Sequence, residues 1–160
     1  ESLLGDDDIR LGEVLVNRYQ HKLEVDDYSG AVDVAKRLVE LRHPQGWTFW
    51  EQALEKGNLD DELLALLESR AERGGEQGPG LWVRVARIYC GRKQWAAAAR
   101  ALRLVEEDSR DGSWAALAYD IGEQAEDFGL QAAGARVRVK FCQGPEKKAE
   151  WLRRWGRILW

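Results

Sequence analysis

The chain has 160 residues, enough for about one domain with a continuous core. Charged residues make up 32% and apolar residues 44%, with only three prolines, which suits a helical protein and argues against an all-β fold. The net charge of −4 argues against general nucleic-acid binding, because affinity for phosphate needs a basic surface.

The charge is unevenly spread. Residues 1–68 hold 16 acids and 7 bases, net −9, while residues 69–160 hold 12 acids and 17 bases, net +5. This is the pattern either of solvated helix faces or of a molecule with two different binding ends. Two cysteines, Cys90 and Cys142, make neither a disulfide framework nor a zinc site. No apolar run is long enough to span a membrane. The chain has no methionine and ends on Trp160, which points to an excised domain or a mature fragment.

In chain order, residues 1–8 read as an irregular lead-in, with Asp8 able to cap the helix that follows. Leu11, Leu15, Tyr19 and Leu23 then share one helical face over residues 9–24. Val25-Asp26-Asp27 is a turn, and Tyr28, Ala31, Ala35 and Leu38 line a second helix that stops at His43-Pro44. A second hairpin runs over residues 45–73. Trp47, Trp50 and Leu54 lie on its first helix, Gly57-Asn58 is its turn, and Leu63, Leu66 and Leu67 lie on its second helix.

Residues 74–80, GGEQGPG, form the most flexible loop. The loop lacks the Lys-Ser or Lys-Thr of a phosphate loop. Trp82, Val85, Ala86 and Tyr89 mark the next first helix, and Trp95, Ala98, Leu102 and Val105 mark its second. This second set follows Tyr28, Ala31, Ala35 and Leu38 at one constant offset, equal to about two periods of roughly 34 residues. After Asp111-Gly112-Ser113, Trp114, Leu117, Ala118 and Ile121 follow Trp82, Val85, Ala86 and Tyr89 at an offset of 32. A less regular helix spans 128–142. From Pro44 to Pro79 is about one such period and from Pro79 to Pro145 about two, and each proline stands at a hairpin boundary. The last stretch, 146–160, is an amphipathic helix with Trp151, Leu152, Trp155, Ile158 and Leu159 on its apolar face.

The run from Trp82 to Val105 resembles the tetratricopeptide repeat, with Val85-Ala86 in place of the Leu-Gly pair of its signature. The resemblance covers residues 9–143 and is weakest over 45–73, where Glu51 stands at a small-residue position. It implies an all-α fold, a right-handed α-solenoid of about four hairpins, with 9–145 as the repeat domain and 146–160 as a capping helix. It also implies a non-catalytic scaffold whose first helices line a concave groove for a peptide or helix of a partner protein. By the phase of the repeat, Val16, Gln20 and Leu23, then Val83, Arg87 and Cys90, then Ala115, Tyr119 and Glu123 face that groove. No row of Lys and Arg for a terminal carboxylate is present.

Trp151 and Trp155 join the candidate partner-binding residues Gln20, Val83, Arg87, Tyr119 and Glu123. The basic, tryptophan-rich final helix either caps the array or meets a membrane interface or another chain. In bacteria such repeats occur in secretion, pilus and polysaccharide-export assemblies tethered to membranes, in the cytoplasm or periplasm. Nothing in the sequence calls for a cofactor or metal. His21 and His43 form no nucleophile motif, and Asp6-Asp7-Asp8 and Asp60-Asp61-Glu62 read as helix starts. The competing readings are a helical ligand-binding or catalytic domain with an aromatic pocket, and a self-associating structural module.

Overall fold

The computed structural model describes residues 6–159, with side chains from Ile9 to Leu159. These residues form nine α-helices and one short 3-10 turn, Glu107–Ser109, and no strand. The helices are α1 (Asp6–Glu24), α2 (Tyr28–Glu40), α3 (Gly46–Lys56), α4 (Asp60–Glu72), α5 (Gly78–Gly91), α6 (Trp95–Arg103), α7 (Gly112–Gln124), α8 (Phe128–Phe141) and α9 (Pro145–Ile158). Two of the expected boundaries shift. Residues 6–8 belong to the first turn of α1 rather than to an irregular lead-in, and residues 1–5 lie outside the described residues. Gly78-Pro79-Gly80 open α5 instead of extending the loop, because a proline in the first turn gives up no helical hydrogen bond.

Helices α1–α2, α3–α4, α5–α6 and α7–α8 are each joined by one recurring turn. Asp26, Asn58, Lys93 and Glu126 each adopt a left-handed backbone, with φ of 56°, 52°, 57° and 54°. In each turn the next amide reaches back five residues: Asp27 to Lys22 O, Leu59 to Leu54 O, Gln94 to Tyr89 O and Asp127 to Gly122 O. The left-handed residue bonds three back, so each turn is a Schellman closure that satisfies the last carbonyls of the helix. Arg42 closes α2 in the same way. The four turns recur at nearly equal intervals. The chain is therefore a repeat-like all-α architecture with a period of roughly 33 residues.

The turns also fix the register. Lys93 follows Asp26 at the same long offset as the apolar pattern. The paired residues are buried alike: Ala31 with Ala98, Ala35 with Leu102 and Leu38 with Val105. From Lys93 to Glu126 the step is one position longer than from Trp82 to Trp114. Trp114 therefore corresponds to Leu81 and Ala118 to Val85, and all four are buried, whereas Trp82 is only half-buried.

The described residues fall into two compact units, divided between Leu66 and Leu67 inside α4. In the first unit α2 packs closely against α1 and α3. Tyr19 of α1, fully buried, stacks on Phe49 of α3 at 4.7 Å, and its hydroxyl donates to Phe49 O at 2.9 Å. Gly46 lets α3 start against α2, since a Cβ there would lie 2.9 Å from Val39 N. Asp60, Asp61 and Glu62 stand in the first turn of α4, where the positive end of the helix favours them.

In the second unit α5–α6, α6–α7, α7–α8 and α8–α9 are close neighbours, and α5 also meets α7. Trp114 locks the junction of α6 and α7. Its indole N–H donates at 2.9 Å to Leu102 O, a carbonyl in the last turn of α6 that the backbone engages through a long bond from Val105 N at 3.3 Å. Helices α7 and α8 approach through glycine: a Cβ on Gly134 would lie 2.6 Å from Tyr119 N, and one on Gly122 would lie 2.5 Å from Gln131 N.

These geometries predict opposite outcomes for opposite substitutions. Lys93→Gly and Glu126→Gly should each stabilise the fold by about 1 kcal/mol, because they relieve left-handed backbone in a side-chain-bearing residue. Gly134→Ala, ordinarily favourable in a helix, should cost about 1–3 kcal/mol through the backbone clash. Urea unfolding of the three variants checks both signs.

Candidate functional site

The second unit presents two adjoining surfaces. The first is the exposed side of α5 and α7. Arg87 of α5 is exposed, and its guanidinium donates to Ser113 Oγ of α7 at 2.9 Å. Cys90, one turn further along α5, is half-buried. Burial, with a smaller contribution from the Asp120 carboxylate, pushes its thiol above the ordinary range, so the reactive thiolate is disfavoured. Glu123 is exposed one turn after Tyr119 on α7.

The second surface is a cleft of about 620 Å³ lined by Tyr119, Phe128, Gln131, Arg154, Arg157 and Ile158. It draws on α7, the start of α8 and the end of α9. Tyr119 meets Trp151 of α9 edge to face, with ring centroids 5.0 Å apart. Trp151 also carries two guanidiniums, Arg138 at 4.7 Å and Arg154 at 4.8 Å from its ring. Arg154 additionally bonds Glu150 at 2.7 Å, while Arg157 makes no ion pair among the described residues. The Trp151–Trp155–Ile158 face of α9 is half-buried, and Leu152 and Leu159 on its flank are exposed.

Asp127 directly precedes Phe128, which lines the cleft. It caps α8 by accepting from Leu130 N at 3.0 Å, and it receives Arg103 through Nε at 3.0 Å and Nη2 at 2.6 Å. Burial pushes this carboxyl up, and is the largest single influence. The Arg103 bonds and charge and the Leu130 and Gly129 amides together outweigh burial and hold the carboxyl below the ordinary range. Two smaller recesses contain carboxylates, Glu76 and Glu106 in one and Glu68 and Glu72, beside Arg100, in the other.

The residues singled out in the sequence are divided between the two units. Gln20 is exposed on α1 in the first unit, and the other six lie in the second. Tyr119 and Trp151 are brought into contact, and Arg87 is bridged to α7. Val83 and Trp155 are half-buried and Glu123 is open. Of the other expected groove positions, Val16 and Leu23 are half-buried, and Ala115 is fully buried because the register places it inside the α7 packing face. Phe128, Gln131, Arg154, Arg157 and Ile158 were not anticipated as site residues. No sequence pattern joins them, although Arg154 and Arg157 stand at i, i+3 beside the tryptophan face.

Both histidines are accounted for. His43 stacks near Phe49 at 6.2 Å and accepts from Gln45 N at 3.2 Å, and His21 is exposed beside Glu24. Among the described residues no group of three or more His, Cys, Asp or Glu could hold a metal ion, and no helix is long and apolar enough to cross a membrane. No protein-family model, curated protein or solved structure matches this chain.

Two measurements follow from this geometry. The ionised form of Asp127 is favoured in the fold, so its contribution is complete above the unfolded-state value of about 3.9 and is lost as pH falls through the lower folded value. Urea unfolding at a series of acidic pH values should therefore show a shallower loss of stability in Asp127→Asn than in the parent chain. Trp151→Ala removes one edge-to-face pair and two cation–π contacts, about 1.5 kcal/mol or more together. It should speed amide exchange across α9 by at least about tenfold while leaving α5 and α6 protected.

Proposed function

We propose that this chain is a non-catalytic interaction module built of tetratricopeptide-like hairpins. Within each unit the hairpins wind as in a right-handed α-solenoid, and a peptide or helix of a partner protein lies along the exposed first helices of the second unit. One observation supports the reading: within each unit, one first helix meets the next through a side-chain contact. Tyr19 meets Phe49 between α1 and α3, Arg87 meets Ser113 between α5 and α7, and Tyr119 meets Trp151 between α7 and α9. Stacking first helix on first helix buries apolar faces that a lone hairpin leaves open, and it aligns one side of those helices as a continuous surface.

On that surface Arg87 and Glu123 are exposed polar groups, with Tyr119 between them in sequence. This mixture suits an amphipathic segment that offers an apolar anchor and charges of both signs. In this reading α9 takes the place of a further first helix, closing the stack over α8. Membrane attachment through α9 is the weaker option, since its tryptophan face is already engaged by Tyr119 and Arg138.

A random peptide library displayed on phage, selected against the immobilised chain, tests the reading. Selected peptides should bind in solution with micromolar Kd or better, a binding free energy of about 8 kcal/mol. The pair Arg87→Glu and Glu123→Arg should weaken them about tenfold with unchanged helicity. Tyr119 is left intact in this test, because its ring supports α9. Selection that returns no specific peptide would remove the reading altogether.

A further inference from the structure

We infer that the cleft between α7, α8 and α9 is an acid-and-apolar subsite for the bound partner segment. A side-chain carboxylate of the peptide seats between Arg154 and Arg157, and a neighbouring aromatic or branched aliphatic side chain packs on Phe128, Tyr119 and Ile158. The inference rests on the reading that the chain binds peptides, and it names the chemistry of what it binds.

Charge comes first. Of the six lining residues two are arginines and none is a carboxylate. Helix α9 as a whole has five bases against two acids. Arg157 makes no ion pair among the described residues, so its guanidinium is available to a ligand. Arg154 is already held 4.8 Å over the Trp151 ring, which fixes its plane before any ligand arrives and reduces the ordering cost of binding. Its one carboxylate partner, Glu150, is half exposed at 51%, and a surface pair of that kind is weak and exchangeable.

The apolar half is equally specific. Phe128, the first residue of α8, is 66% exposed, an unusual position for a phenylalanine with no covering side chain. It stands at the rim of a cleft whose volume, about 620 Å³, lies in the range of ligand sites. The cleft is open to solvent along one side. It therefore accepts side chains from a longer segment better than it encloses a free small molecule. Guanidinium groups beside aromatic rings select a carboxylate next to an apolar residue, with the fork supplying geometry and the rings supplying burial.

The experiment uses the full chain and the peptides selected on phage, resynthesised with an amidated C-terminus. The expected sequences carry Asp or Glu adjacent to Phe, Leu, Ile or Trp. Exchange of that acid for its amide should weaken binding about tenfold, as should Arg157→Glu in the protein. Arg153→Glu makes the same charge change outside the cleft, where Arg153 Nε meets Ala149 O, and should have little effect. Glu150→Gln should tighten binding by freeing Arg154.

Equal weakening by Arg153→Glu and Arg157→Glu would overturn the subsite in favour of long-range charge alone. Peptides that lack an acid, or that ignore Arg157→Glu while still responding to the Arg87→Glu and Glu123→Arg pair, would sink the inference and leave the binding function standing. Sedimentation showing a dimer that Arg157→Glu dissociates would assign the cleft to a second copy. Pelleting with phosphatidylserine vesicles that is lost in Arg157→Glu, with peptide affinity unchanged, would assign it to a lipid surface. Both of these outcomes overturn the peptide assignment.

Discussion

The amide that reaches back five residues at the end of each first helix is the constraint on which the architecture depends. It holds the preceding residue in the left-handed region, and here that residue is Asp26, Asn58, Lys93 or Glu126 rather than glycine. Left-handed backbone costs such residues about 1–2 kcal/mol. The cost is offset because two carbonyls that would otherwise end the helix unpaired find partners. The direction of exit is then fixed, and α2, α6 and α8 fold back along α1, α5 and α7. Ala31 and Ala98 are buried because the turn sends them there. Asp27 and Asp127 follow the left-handed residue directly and cap the next helix, so one short segment both ends a helix and starts another.

From that closure the second unit builds its surface in two steps. Trp114 ties the end of α6 to the start of α7 with a buried N–H, which sets how α7 leaves the preceding hairpin. Gly122 and Gly134 then bring α7 and α8 within backbone contact. This closeness sets Tyr119 and Gln131 side by side in the cleft wall. Without it α8 would stand further out, and α9, which packs on α8, could not reach Tyr119 with Trp151. The helix cost of each glycine, about 1 kcal/mol relative to alanine, is thus offset by placement of the cleft.

The all-α class, the hairpin turns and the two-period offset were legible because a turn and an apolar stripe repeat together between Asp26 and Lys93. The one-period offset from Trp82 failed by a single position for a simple reason. Matching Trp82 to Trp114 follows side-chain likeness, whereas the turn dictates position, and Leu81 fills the place that Trp114 fills one unit later. Exposure at the expected groove positions was partly legible. Arg87 and Glu123 are exposed as the phase required, but Ala115 is core. The cleft was not legible at all, since Tyr119, Phe128 and Arg157 come from three helices and only packing through Gly122 and Gly134 joins them.

Tyr119 connects the two surfaces. It is one turn before Glu123 on the exposed side of α7, and it is also a wall of the cleft and the support of Trp151. Trp151 in turn supports Arg154. A segment lying along α5 and α7 therefore reaches the cleft without leaving α7, and the orientation of Arg154 depends on the ring that such a segment would cover. Because α9 is held by ring and guanidinium contacts with no fully buried side chain of its own, its position is the softest term in this arrangement. In the proposed reading, ligand contacts that span α7 and α9 would draw on that softness, so binding and order in α9 should rise together.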